Sequence, residues 1–99
     1  MRLTPKEIKA IKDSFFTIFS NKGSIYLFGS RVDDSKRGGD IDLYIILNEK
    51  LPSSETFNKK IDFLVELKDK IGEQKIDVLI SKDKNRSIEQ EALKYGIKL

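Results

Sequence analysis

The 99-residue sequence contains no cysteine, no histidine and no tryptophan, and only two prolines. Without cysteine there are no disulfides and no thiol nucleophiles. Without histidine there is no Ser-His-Asp triad, and the usual ligand set of a zinc site is missing as well. Any metal must then be a hard ion held by carboxylate oxygens. Long apolar runs are also lacking: nothing approaches the roughly 20 residues that span a bilayer, and the charged segment Met1 to Ala10 has no apolar stretch of the signal-peptide kind. These absences describe a soluble cytoplasmic protein. Charge of one sign is scarce too, since 19 Lys and Arg against 16 Asp and Glu leave a net charge of +3. That balance argues against a dedicated nucleic-acid binder. The length fits one domain, 1–99. So short a chain buries only roughly 60 to 70% of the surface its unfolded state exposes, so a binding partner could matter to its stability.

What is present reads as alternating helices and strands. Thr4-Pro5-Lys6-Glu7 combines an N-cap hydroxyl, a proline at the first helical position and a glutamate three residues past the cap, which is a capping box. Ile8, Ile11, Phe15, Ile18 and Phe19 follow at helical spacing until Asn21-Lys22-Gly23 stops the helix. Ser24 to Phe28 is a short strand, and Gly29 to Gly39 is a polar, glycine-punctuated loop with room for one helical turn. Ile41 to Leu47 has the apolar, β-branched pattern of a strand covered on both faces. Leu51-Pro52-Ser53-Ser54 is a turn ending in an N-cap, and Phe57, Ile61, Leu64 and Ile71 mark an amphipathic helix from about Glu55 to Ile71, closed by Gly72. Ile76 to Ile80 is a third strand, and Ser87-Ile88-Glu89-Gln90 is a second capping-box pattern, opening a final helix that ends at Gly96. The order is α-β-β-α-β-α, an α/β (α+β) chain with a small mixed sheet flanked by helices.

The chemistry concentrates in three carboxylates. Asp40 and Asp42 stand two apart at the head of the second strand, so both project from one face, with Tyr44 and Ile46 beyond them. The other face, Ile41, Leu43, Ile45 and Leu47, is the better candidate for the densest packing. An isolated Asp-x-Asp is most often a solvated strand end, but Asp77 repeats the anomaly inside Ile76-Asp77-Val78-Leu79-Ile80. If the two strands are neighbours, the three form one hard-oxygen site suited to Mg²⁺ and to phosphoryl or nucleotidyl transfer. Just after the first strand, Gly29 permits close backbone approach, and Ser30 with successive N–H groups could cradle phosphate oxygens. Arg31, Lys36 and Arg37 place positive charge in the same loop.

Together these residues resemble the nucleotidyltransferase superfamily that includes DNA polymerase beta, whose signature is Gly-Ser, a short spacer, Asp-x-Asp, and a third carboxylate on a later strand. Here the run is Leu27-Phe28-Gly29-Ser30-Arg31 through Gly39-Asp40-Ile41-Asp42-Leu43, with Asp77 in the later strand. The nine-residue spacer between Ser30 and Asp40 is slightly shorter than the commonest form, and Gly39 stands where serine is frequent. The helix before the first strand and the ending Glu91-Ala92-Leu93 to Gly96-Ile97 are similar to the minimal, single-domain members (MNT domains). Such members typically act as antitoxins of small helical HEPN-domain ribonuclease toxins. The resemblance therefore implies a polymerase beta-like fold and Mg²⁺-dependent transfer of AMP from ATP to a toxin tyrosine. By the same analogy Gly29, Ser30 and Arg31 hold the nucleotide, and Asp40, Asp42 and Asp77 bind a pair of Mg²⁺ ions. Asp77 also accepts the proton of the attacking hydroxyl. Two alternatives stand beside this: an antitoxin that neutralises by binding alone, and a small-molecule nucleotidyltransferase that works with a separate acceptor-binding subunit.

Overall fold

The computed structural model describes residues 1–32 and 39–99, with Ser30 described by its backbone. The turn residues Asp33-Asp34-Ser35, the loop cations Lys36 and Arg37, Gly38 and the Ser30 hydroxyl lie outside the described part. The element order is α1 (Pro5–Phe19), β1 (Gly23–Phe28), a 3₁₀ turn (Gly29–Val32), β2 (Ile41–Leu47), α2 (Ser53–Ile71), β3 (Ile76–Ile80), α3 (Ser87–Tyr95) and β4 (Ile97–Lys98). The first capping box forms as expected: the Glu7 N–H donates to Thr4 Oγ1 at 3.1 Å, and the Thr4 N–H donates to Glu7 Oε1 at 2.9 Å. Ser20 and Asn21 end α1 in the left-handed region.

Among the described residues four strands form one mixed sheet in the order β3-β2-β1-β4. β1 runs antiparallel to β2, and β3 lies parallel to β2 after a crossover through α2. Alternation then sorts the side chains. Ile25 and Leu27 of β1, Ile41, Leu43 and Ile45 of β2, and Ile76, Val78 and Ile80 of β3 face one side and are buried there with Ile11 and Phe15 of α1 and Phe63 and Leu67 of α2. Phe19 carries α1 onto α2, its ring 5.3 Å from Phe15 and 6.0 Å from Phe63. The expected dense face of β2 is thus the core face. The opposite side carries Phe28, Asp42 and Asp77 in one row and Tyr26, Tyr44 and Leu79 in the next.

Four expectations need correcting. β4 adds a strand after the last helix: Gly96 ends α3, and Ile97 and Lys98 pair antiparallel with Leu27 and Tyr26 at a sheet edge that a helix-terminated chain would leave bare. α2 begins at Ser53 instead of Glu55, because the Pro52 carbonyl already accepts the Thr56 N–H at 3.0 Å; no serine side chain caps it. Phe57 and Ile61 do not enter the core, which α2 meets through Phe63 and Leu67. The second capping box does not form: Arg86 occupies the N-cap, and Glu89 turns under the helix to bury itself against Tyr44. The helix starts one residue early for the box, so Ser87 is already inside it and the Gln90 N–H donates to the Arg86 carbonyl at 2.9 Å as an ordinary helical bond.

Candidate active site

The parallel register sets Asp42 directly beside Asp77, and the antiparallel register sets Phe28, the last residue of β1, on Asp42's other side. Side chains 35 positions apart thereby share one row. Asp42 is half-buried, while Asp77, on the edge strand, is exposed. Burial pushes the Asp42 carboxyl above the usual carboxylate range; the charges of Asp77 and Asp40 and a hydrogen bond with Asp77 push it the same way, partly countered by Lys75. Asp40, one residue ahead of β2, is paired with Lys75 at 3.3 Å, and that contact raises the lysine's pKa.

The turn after β1 closes over this row. Gly29 has φ +74°, a conformation in which a side chain is strained, and a Cβ placed there would collide with Asp42 Oδ2. Glycine is needed at this point because the backbone passes against a carboxylate. Arg31 ties the turn down: its guanidinium donates to the Arg2 carbonyl at 2.9 Å and to the Gly39 carbonyl at 3.4 Å, next to Asp40. The Arg2 N–H returns a bond to the Arg31 carbonyl at 2.7 Å.

Of the residues singled out from sequence, Asp42 and Asp77 share the first row of the sheet face with the Gly29 backbone against Asp42, Asp40 stands just ahead of that row and pairs with Lys75, and Arg31 braces the turn beside them. Among the described residues no three acid side chains converge as a ready-made metal cage: Asp42 and Asp77 bond to each other, and Asp40 leans to Lys75. The donor set nonetheless suits a hard divalent cation. It is all oxygen, and the repulsion of Asp42 by Asp77 and Asp40 is one that a cation relieves.

Sequence reasoning missed the network one row further on. Glu89 is fully buried. Its Oε1 accepts from the Tyr44 hydroxyl at 2.8 Å and from the Ser81 hydroxyl, and its Oε2 accepts from the N–H groups of Lys82 at 3.0 Å and Asp83 at 2.9 Å. Burial pushes this carboxyl up, but the bonds from Ser81, Asp83, Tyr44 and Lys82 prevail and hold its pKa at about 2. α3 is thereby locked to the end of β3 and to the strand that carries Asp42. The capping-box pattern drew the reading to Ser87 and Gln90 and passed over the glutamate between them.

Comparison with known proteins agrees with the geometry. The family model for polymerase beta nucleotidyltransferases matches residues 10–99. No protein of curated function matches the chain by sequence. A crystal structure described as the toxin-antitoxin MntA-HpeT, a mutant with two aspartates changed to glutamate, superposes with a TM-score of 0.62 at 20% identity, over 93% of this chain and 70% of that one. At that identity the likeness is one of fold, and with helices packed on a mixed sheet and Asp-x-Asp heading its central strand the two findings coincide: the chain belongs to the polymerase beta-type nucleotidyltransferases.

Proposed function

We propose that this nucleotidyltransferase carries AMP from ATP to a tyrosine hydroxyl of a HEPN-type toxin in the cytoplasm, and so acts as that toxin's antitoxin. The observation that carries the proposal is the row in which Asp42 lies in register with Asp77, headed by Asp40 and pressed by the Gly29 backbone. The toxin–antitoxin setting is supported by the MntA-HpeT neighbour, whose two substituted aspartates stand two positions apart, as Asp40 and Asp42 do.

Asp40, Asp42 and Asp77 would hold a pair of Mg²⁺ ions, which when bound supply charge neutralisation for a triphosphate and Lewis-acid activation. Gly29 and Ser30 hold the triphosphate against the turn, aided by main-chain N–H groups, and Arg31 keeps that turn in place while adding positive charge near the phosphates. Asp77 takes the proton of the acceptor hydroxyl; its exposure on the edge strand lets that proton pass on to water. The acceptor oxygen forms its bond to the α-phosphorus as the bond from that phosphorus to the bridging oxygen breaks, and pyrophosphate leaves with the electron pair.

The test is incubation with ATP radiolabelled at the α-phosphate, Mg²⁺ and the protein encoded by the neighbouring reading frame. The expected result is label on a partner tyrosine, absent without Mg²⁺ and absent with Asp42→Asn. Neutralisation of the partner without label would refute transfer and leave inhibition by binding.

A further inference from the structure

α2 is apolar on two sides. Phe63 and Leu67 fill the core, whereas Phe57, Ile61 and Val65, each one helical turn from the next, are 61%, 43% and 65% exposed. Residues spaced by four form a ridge of the kind that packs into the groove of another helix. Such an apolar stripe outside the core is the uncommon case for a surface helix, whose outer side is ordinarily polar.

The stripe leads into a cavity of about 550 Å³ at the C-terminal ends of β2 and β3, where Phe57 is part of the wall. Lys50, Lys60, Lys82, Lys84 and Arg86 line it against one carboxylate, Glu49, so its local charge exceeds the +3 of the whole chain. Arg86 is paired with Glu89 at 3.5 Å, but Lys50, Lys60, Lys82 and Lys84 have no ion pair among the described residues. An apolar ridge that ends among unpaired cations is complementary to one kind of occupant.

The geometry points to α2 as a docking surface for an amphipathic, acidic helix of a protein partner. The partner's apolar residues would lie on Phe57, Ile61 and Val65, and its carboxylates would enter the lysine-lined cavity. Because α2 packs on the sheet face opposite Asp42, the occupant leaves the carboxylate row open. The inference takes from the functional proposal only that the chain has a protein partner, and nothing from the transfer chemistry.

Two synthetic helix-forming peptides test it. Both carry the same leucine stripe at i, i+4 spacing; one is flanked by glutamates and the other by lysines. Fluorescence anisotropy should show the acidic peptide binding about tenfold or more tightly than the basic one, and Val65→Glu should weaken it by about the same factor. The pair Lys82→Glu with Lys84→Glu should erase the preference for the acidic peptide. Val65 is exposed, so Val65→Glu should retain the wild-type melting temperature and wild-type ATP binding. The inference is overturned by equal affinities for the two peptides, by no binding at millimolar concentration, or by indifference to Val65→Glu. A dimer of the chain in sedimentation that Val65→Glu dissociates would also overturn it, assigning the surface to a second copy. Failure of AMP transfer with peptide binding intact would count against the functional proposal alone.

Discussion

Replacing Glu89 by glutamine isolates the buried carboxylate in a way that pH can read. Its pKa of about 2 in the folded chain, against an ordinary 4.5, corresponds to roughly 3 kcal/mol of stability at neutral pH. Because the folded value is depressed, this contribution is complete above pH 4.5 and is lost as the pH falls from there toward 2. Glutamine keeps the shape but offers one acceptor oxygen where the carboxylate has two. One pair of donors, either the hydroxyls of Tyr44 and Ser81 or the N–H groups of Lys82 and Asp83, must therefore turn round or go unsatisfied. The expected cost near pH 7 is about 1–3 kcal/mol. Urea unfolding followed by circular dichroism, at about pH 7 and about pH 3 on both chains, separates this from every other titrating group, since those groups are common to both. The stability gap should shrink markedly at the lower pH. A gap of constant size would refute the assignment of a charged, hydrogen-bonded Glu89.

Three further outcomes follow from the carboxylate row. Gly29→Ala forces a Cβ into the space held by Asp42 Oδ2 at φ +74°, so thermal unfolding should show a loss of about 1–3 kcal/mol, and calorimetry should show weaker ATP binding; a wild-type melting temperature would mean that the turn does not press on Asp42. Asp42→Asn removes a carboxylate crowded by Asp77 and Asp40, so activity should vanish while the melting temperature holds or rises, and an unfolded variant would make Asp42 structural instead. Asp77→Asn should spare most ATP affinity yet slow single-turnover transfer by about 10²- to 10⁴-fold; near wild-type transfer would remove Asp77 from the role of base.

The parts of the fold legible in the sequence are those where one local rule decides. The first capping box and the face Ile11, Phe15, Phe19 define α1 unambiguously. The apolar β2 with Asp42 on one side already separates a core face from a site face. Periodicity failed on α2 because it counts apolar residues without knowing which side is covered. Phe57 and Ile61 share the helical spacing but sit between about 80° and about 160° around the helix from Phe63 and Leu67. Glu89 failed for a different reason: it lies between Ser87 and Gln90, whose spacing matches a capping box, and only the tertiary position of Tyr44 and the Lys82 and Asp83 amides shows what the glutamate bonds. The Asp42–Asp77 neighbourhood was conditional on strand order, which no local pattern encodes.

The placement of β3 at the sheet's edge has a consequence for solubility. Ile76-Asp77-Val78-Leu79-Ile80 is a β-prone strand with one side unpaired among the described residues, the kind of template on which other chains add strands and aggregate. Asp77 is its only charge. The carboxylate proposed to accept a proton thus also serves as the edge's guard against intermolecular pairing, so a neutral residue there removes both functions at once. Variants at position 77 should be compared at low protein concentration with light scattering alongside activity, and an apolar replacement should precipitate sooner than asparagine.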